Sequence, residues 1–192
     1  NTGYNVALGL DAQLAEQHSL GFSGRAILSQ DDNRLSSSTG IIMPGSDELD
    51  QLLVSQTLLD RSLRSYNFDL NYNWAISSGS NFSTDLSFGQ FNTQGTTQQP
   101  NTFFAADEAT VLDISNNAFD ADTYIDLWSA KADYEKSWEG LKLSTGGKWA
   151  YITTDNRFAF FNIQANEPVP DLDKSNDFSY TERVAAAYAV LD

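Results

Sequence analysis

The sequence predicts an all-β fold, an antiparallel up-and-down meander of about seven strands that forms part of a transmembrane β-barrel. Three observations support this prediction. Apolar and polar residues alternate with a period of two in seven runs, which is the side-chain period of a β-strand. Short turns and long polar stretches alternate between these runs. Lys and Arg avoid the apolar faces of the runs, as the lipid-facing side of a barrel requires.

The run from Tyr66 to Ile76 shows the alternation most clearly. One face carries six apolar or aromatic residues, and the other carries Asn67, Asp69, Asn71, Asn73 and Ala75. No helix places the first set on one side, because helical neighbours recur every three or four residues. This run is therefore a strand with one apolar and one polar wall.

Six further runs repeat this pattern. They are Tyr4 to Leu14, His18 to Leu28, Phe82 to Phe88, Tyr124 to Lys136, Leu141 to Ile152 and Ser179 to Leu191. Gly146-Gly147, inside the run from Leu141 to Ile152, indicates a bend or close packing. In the last run the predicted apolar face comprises Tyr180, Val184, Ala186, Tyr188 and Val190.

The polar stretch from Gln30 to about Ser65 has two interpretations, so the conformation of residues 35–63 is left open. Its leucines are compatible with a helix capped near Ser46. We favour a hairpin in which Thr39 to Met43 faces Leu52 to Thr57 across a Pro44-Gly45-Ser46 turn, because β-branched residues cluster there and Pro-Gly initiates turns.

Three connections, including this one, are expected to be loops of roughly 25 to 35 residues, which is unusual for a compact soluble domain. Outer-membrane barrels have tight periplasmic turns and long extracellular loops. Aromatic residues are expected in two bands at the two interfaces. The loop-side band is Tyr4, Tyr66, Phe88, Trp128, Tyr151 and Tyr180, and the turn-side band is Trp74, Phe82, Tyr134, Trp138 and Tyr188.

Charge placement distinguishes this barrel from a β-sandwich, which also has one apolar face per strand. We place Arg25, Lys131, Lys148 and Arg183 on polar faces, and only Asp126 and Glu182, near strand ends, on apolar faces. The alternative is a soluble β-sandwich or small β-barrel that binds carbohydrate or a lipid-like ligand.

Composition excludes several classes of protein. The net charge of −15 argues against a nucleic-acid partner. The absence of cysteine excludes disulfides and thiolate metal sites. No apolar run is long enough for a transmembrane helix. We recognise no cofactor-binding motif and no catalytic constellation, and His18 is expected to be a solvated turn residue, so we do not expect an enzyme.

The candidate site residues are charged and belong to the polar faces of the runs. They are Arg25, Asp69, Lys131, Asp133 and Lys148. If these faces line a barrel lumen, the side chains either border a substrate path or hold a plug, or they only solvate the lumen.

A weak calcium candidate comprises Asp171, Asp173, Ser175 and Glu182, whose spacing resembles that of a calcium loop. The sixth-position glycine and the flanking helices of such loops are missing. A solvated acidic loop is therefore the favoured interpretation, and no metal is expected.

The segment from Tyr124 onward resembles a known family. The stretches that carry the resemblance are Ile125 to Tyr134, Gly146 to Trp149 with Thr153 to Asn156, and Ser175 to Glu182 before Ala186-Ala187-Tyr188. They resemble the outer-membrane β-barrel domain family related to TonB-dependent receptors.

The resemblance implies a bacterial outer-membrane protein with a carboxypeptidase-regulatory-like domain, a plug and a large barrel, energised from the inner membrane to take up a scarce nutrient. Residues 1–192 are then expected to be a single, partial barrel domain without plug or signal peptide. Its expected partners are outer-membrane lipid and the rest of the barrel and plug. An isolated copy is expected to self-associate through its exposed edges or apolar faces.

Overall fold

The computed structural model describes residues 1–45 and 47–192. It contains seven strands: β1 Thr2–Ala15, β2 His18–Ile42, β3 Leu49–Ser77, β4 Ser80–Ala105, β5 Val111–Trp138, β6 Leu141–Gln164 and β7 Glu167–Leu191. They form one antiparallel sheet in the order β1 to β7. The predicted fold class is confirmed, because this is an up-and-down meander and the described residues contain no helix. The described residues therefore include no helix that could cross a membrane.

The prediction of long loops between the strands is wrong. The polar stretches continue the strands as paired ladders, so that the connections shrink to residues 43–48, 106–110 and 165–166. Tight turns of glycine with positive φ close the opposite end at Gly79 and Gly140. These extensions lack a sustained period-two alternation of apolar and polar residues, and alternation therefore did not predict their ladders.

The hairpin predicted around Pro44 is confirmed, and the helical alternative is wrong. Its register differs from the prediction, because Thr39 faces Leu53 and Ile42 faces Leu49. The observed connection, residues 43–48, is shorter than the one implied by pairing Met43 with Leu52, and the partner of Thr39 is displaced by four positions from Thr57. Ser46, the predicted turn and cap residue, lies outside the described residues.

Two faces of the sheet have different chemistry. We call the face that carries Phe68, Leu70 and Trp74 the apolar face, and the other the polar face. Among the described residues no hydrophobic side chain is buried, and Leu8 and Leu10 are 65% and 64% exposed. A β-sandwich buries one face of each sheet against the other. A single sheet with an uncovered apolar face contradicts the sandwich alternative.

The predicted facing of β7 is wrong. Gly146 faces Tyr188 and Lys148 faces Ala186, so Tyr180, Val184, Ala186, Tyr188 and Val190 share the polar face. The apolar face of β7 instead carries Ala185, Ala187 and Ala189, opposite Trp149, Gly147 and Thr145 respectively. Both faces of this strand are apolar, which is why alternation alone assigned them incorrectly.

The same register corrects the charge assignment. Arg183 lies on the apolar face opposite Tyr151, and Glu182 lies on the polar face opposite Ile152. Lys136 is also on the apolar face, opposite Leu143 near the turn end of β5. Lys and Arg therefore do not avoid the apolar face entirely. Both lie near its margins, where the cost on a lipid face falls from about 2 to 4 kcal/mol to about 0 to 1 kcal/mol.

Candidate functional site

A ladder of aromatic rings crosses the apolar face. The centroids of Phe22 and Phe68 are 6.3 Å apart, those of Phe68 and Phe88 are 6.3 Å apart, and those of Phe88 and Trp128 are 4.4 Å apart. Trp128 remains 50% exposed and Leu86 48% exposed. The three phenylalanine rings stack nearly parallel along the sheet, and the Trp128 ring is tilted against Phe88, but the rings leave their outer surface uncovered.

The aromatic bands shift along the strands from β3 to β5. Tyr66 faces Gln90, which faces Asp126, so Trp128 lies one pair of residues nearer the turns than Tyr66 does. On the turn side Trp74 aligns through Phe82 with Tyr134, and Trp138 lies beyond them. A membrane band that crosses the ladder obliquely is expected when strands tilt by about 35 to 45° to the membrane normal.

On β5 the band runs from Trp128 to Trp138, which is about 33 Å of strand at about 3.3 Å per residue. A tilt of about 40° reduces this length to about 25 Å, the height of the apolar band of an outer-membrane barrel. Tyr180 and Tyr188, predicted as members of the two bands, do not belong to them, because they lie on the polar face.

The polar face holds all five predicted site residues. Arg25, on β2, lies opposite Asn67, and Asp69, on β3, accepts a hydrogen bond from the Ser23 hydroxyl at 3.4 Å. Lys131 on β5 lies directly opposite Lys148 on β6. The register thus divides them into two groups, one on β2 and β3 and the other on β5 and β6.

The group on β5 and β6 forms a contact network. Lys131 pairs with Asp133 at 2.5 Å, and the Tyr188 hydroxyl donates a hydrogen bond to the same carboxylate at 2.6 Å. Within the described part of the chain, Lys148 has no carboxylate within ion-pair distance. Lys148 therefore presents a cation on the polar face beside a lysine whose charge Asp133 already balances.

The fold and its two faces agree with a comparison with known families. A family model described as an outer membrane protein β-barrel family matches residues 74–192, which is more than half of the chain. The chain belongs to this outer-membrane β-barrel family. A search of curated proteins finds no match.

Membership of the outer-membrane β-barrel family explains why the apolar face is uncovered. The protein belongs in the bacterial outer membrane. The outward face of outer-membrane barrels is apolar, and lipid contact with the apolar face of this sheet stays a prediction. Arg183 and Lys136 then lie close to the two interfaces, and the guanidinium of Arg183 lies 5.5 Å from the centre of the Tyr151 ring. That the polar face lines a barrel lumen stays a prediction.

The weak calcium candidate residues do not converge. Asp171 lies opposite Phe160 and Glu182 opposite Ile152, eight positions away on β6, which is about 26 Å at about 3.3 Å per residue. Asp171 is engaged by Lys174 at 3.1 Å and by the Asn162 amide at 3.1 Å. Elsewhere too, residues 1–45 and 47–192 contain no cluster of three His, Asp or Glu side chains that could hold a metal ion.

These contacts stabilise a bulge in β7. Phe158 pairs with Asn176 and Phe160 with Asp171, so residues 172–175 have no counterpart on β6 except Ala159. The Ser175 hydroxyl accepts the Phe160 N–H at 3.0 Å and donates to the Asp171 carbonyl at 2.7 Å. Lys174 also lies 4.6 Å from the centre of the Phe160 ring.

His18 is part of the turn-side aromatic band rather than a solvated turn residue. Its ring stacks on Trp74 with centroids 5.4 Å apart, and its Nδ1 lies 2.7 Å from the Tyr72 hydroxyl. Amphipathic rings of this kind are suited to the membrane interface. The sequence alone does not show whether a histidine next to a tight turn packs in an aromatic band or is solvated.

Tyr188 and Gly146 are the residues of the polar face that the sequence did not assign to a site. A Cβ at Gly146 would lie 2.8 Å from Tyr188 Cε1 and would also contact the Asp133 carboxylate. The close packing predicted at this glycine is therefore confirmed. Its partner was missed because β7 was assigned the opposite facing.

Proposed function

We propose that this chain forms part of the wall of a TonB-dependent-receptor-like barrel that takes up, or binds at the cell surface, a nutrient. The main supporting observation is the charged polar face, which is opposite the lipid-facing side. Arg25, Asp69 and Lys148 are suited to water or a polar ligand, because unpaired charges are strongly destabilising in a closed, dry interior. A water-filled lumen provides the solvent they require.

The partners we propose are outer-membrane lipid, further barrel strands and a plug. The sheet ends in two unpaired edges, β1 and β7. Within a bilayer each unsatisfied backbone group costs several kcal/mol, so spanning sheets close on themselves. Additional strands satisfy both edges, and a plug in the lumen regulates passage.

We propose no catalytic activity for this barrel wall. Nucleophilic or general acid–base catalysis needs partners within hydrogen-bonding reach of one another and of a substrate. His18 contacts Tyr72 and Trp74 on the apolar face, away from the charged residues of the polar face. Recognition and passage of a ligand are therefore the functions that this surface supports best.

Uptake measurements on the full-length protein in its own cell test the proposal. Cells that lack the protein, and cells that lack the inner-membrane energy transducer, are compared with the parent strain for accumulation of a panel of labelled nutrients. Loss of one nutrient in both strains is the expected result. Uptake that continues without the transducer would contradict energised transport.

Replacing single lysines then tests the polar face. Lys148→Gln removes one unpaired cation from the polar face, and Lys136→Gln makes the same change on the apolar face. At equal amounts of protein in the membrane, Lys148→Gln is expected to change ligand affinity or uptake several-fold more than Lys136→Gln. Equal effects would argue against a ligand path along the polar face.

A further inference from the structure

β7 has an ambiguous hydrophobic pattern. Its polar face carries Tyr180, Val184, Tyr188 and Val190, whereas its apolar face carries mainly alanines. A slip of one residue against β6 exchanges the two faces of a strand. The slipped strand would present its larger apolar side chains to lipid, which apolar burial favours. Hydrophobicity alone therefore does not select the register observed.

One contact network exists only in the observed register. Asp133 on β5, Gly146 on β6 and Tyr188 on β7 lie in one row across the polar face. The Tyr188 ring passes over Gly146, where a Cβ would lie 2.8 Å from it, and its hydroxyl reaches Asp133 at 2.6 Å. We call these three residues the β5–β7 clasp.

The clasp depends on each of its members. Because Gly146 on β6 has no side chain, the Tyr188 ring of β7 can pass over it and contact Asp133 on β5. Asp133 is oriented by its ion pair with Lys131, also on β5. Hydrogen bonds to charged groups are stronger than those between neutral groups. A slip by one residue moves Tyr188 to the other face and breaks this bond.

We propose that the β5–β7 clasp selects the register of β7 against a competing register shifted by one residue. Arg183 supports the same choice, because the slip would remove its guanidinium from the Tyr151 ring. The clasp thus determines which side chains of the last strand face lipid. Removing it allows β7 to adopt the slipped pairing.

Disulfide crosslinking reports the register directly, and the chain has no cysteine of its own. Directly opposite residues bring Cα atoms within disulfide range. Cysteines at Ala150 and Val184 report the observed register. Cysteines at Ala150 and Ala185 report a slip in one direction, and cysteines at Ser144 and Ala189 report the other. Each pair is introduced into the full-length protein, with and without a clasp substitution.

Tyr188→Phe keeps the ring and removes only the hydrogen bond. Gly146→Ala introduces a Cβ that would clash with the Tyr188 ring and the Asp133 carboxylate, and also with the Ala132 carbonyl at 2.7 Å. In both backgrounds we expect the yield of one slipped crosslink, relative to the Ala150–Val184 crosslink, to rise by about tenfold, the ratio expected for one hydrogen bond. Tyr180→Phe and Gly9→Ala are the matched controls. Within residues 1–45 and 47–192 the Tyr180 side chain makes no hydrogen bond, and a Cβ at Gly9 would have its nearest neighbour at 4.0 Å.

The controls are expected to leave the crosslink ratio unchanged. A ratio that stays at the parent value in Tyr188→Phe, in protein that reaches the membrane, would overturn the proposal even if Gly146→Ala does not assemble. An equal rise in Tyr180→Phe would also overturn it, because the effect would then not depend on the contact with Asp133.

Discussion

At the scale of single residues, Asp107 organises the turn between β4 and β5. Its carboxylate accepts the Ala109 and Thr110 N–H groups at 3.0 and 2.8 Å and the Thr110 hydroxyl at 2.6 Å. These hydrogen bonds lower the pKa of Asp107 from 3.8 to about 2, with the Thr110 hydroxyl contributing most. They favour the charged carboxylate and order the turn around it.

Asp107→Ala should loosen this turn. The carboxylate's contribution is fully present above its unfolded pKa near 3.8 and is lost as the pH falls through about 2. Hydrogen exchange of the Ala109 and Thr110 amides should therefore be faster in the variant at neutral pH. The neighbouring substitution Glu108→Ala is the control, because no hydrogen bond to its carboxylate stabilises the turn. Equal exchange in the two variants would contradict this role.

Ser175 stabilises the bulge in β7 by hydrogen bonds from its side chain to backbone groups. Ser175→Ala leaves the Phe160 N–H and the Asp171 carbonyl without their hydroxyl partner, at a cost of about 1 to 2 kcal/mol of local stability. The Phe160 amide should then exchange about tenfold faster. Asp173→Ala in the same bulge should leave that rate unchanged, and a similar increase there would argue against a specific role for Ser175.

The sequence predicted the positions of some candidate site residues correctly and those of others incorrectly. Alternation placed Arg25, Asp69, Lys131, Asp133 and Lys148 on one face, and the register agrees. Tyr188 was predicted on the wrong face, and its contact with Asp133, two strands away, is one that no local sequence pattern reports. The calcium site predicted from residue spacing failed for a related reason. The extended strand and its bulge hold these side chains far apart, although the residues are close in sequence.

At the scale of elements, period-two alternation predicted strand positions and the facing of β1 to β6, because those strands have one apolar and one polar wall. It failed where both walls have the same character. β7 is apolar on both faces in the membrane band, the extensions of β2 and β4 beyond it are largely polar on both, and the β3 extension carries leucines on both, Leu52 and Leu53 among them. Pairing with neighbouring strands supplies the missing information in both cases.

The two faces of β4 provide a matched test of lipid contact. Leu86 lies on the apolar face within the aromatic ladder, and Ser87 lies on the polar face beside it. Leu86→Arg should destabilise the folded barrel in bilayers by about 2 to 4 kcal/mol, and Ser87→Arg by much less. Denaturant unfolding of the full-length protein in lipid vesicles measures the difference. Equal losses would contradict the assignment of the apolar face to lipid.

At the scale of the whole molecule, the sheet has two free edges and an uncovered apolar face. β7 pairs only with β6, and β1 only with β2. Free edges are templates for pairing with another chain, and apolar patches of this extent associate in water. Sequence alternation predicted this open sheet but contains no information on which strands satisfy its edges.

Isolated residues 1–192 should therefore associate in detergent-free buffer. Analytical ultracentrifugation is expected to show oligomers or aggregates, with dissociation toward smaller species when detergent covers the apolar face. A detergent-free sample that sediments as a single monomeric species would contradict this prediction. Detergent-resistant oligomers would indicate that edge pairing, rather than the apolar face, holds the copies together.

The hairpins extend far beyond the aromatic bands of the sheet. The portion of β3 from Leu49 to Tyr66 measures about 56 Å along the strand at about 3.3 Å per residue. It is hydrogen-bonded on both sides over most of that length, so it stands as part of a sheet rather than as a loose chain. The hairpin tips therefore stand far from the membrane band, within reach of macromolecules too bulky to approach the lipid surface.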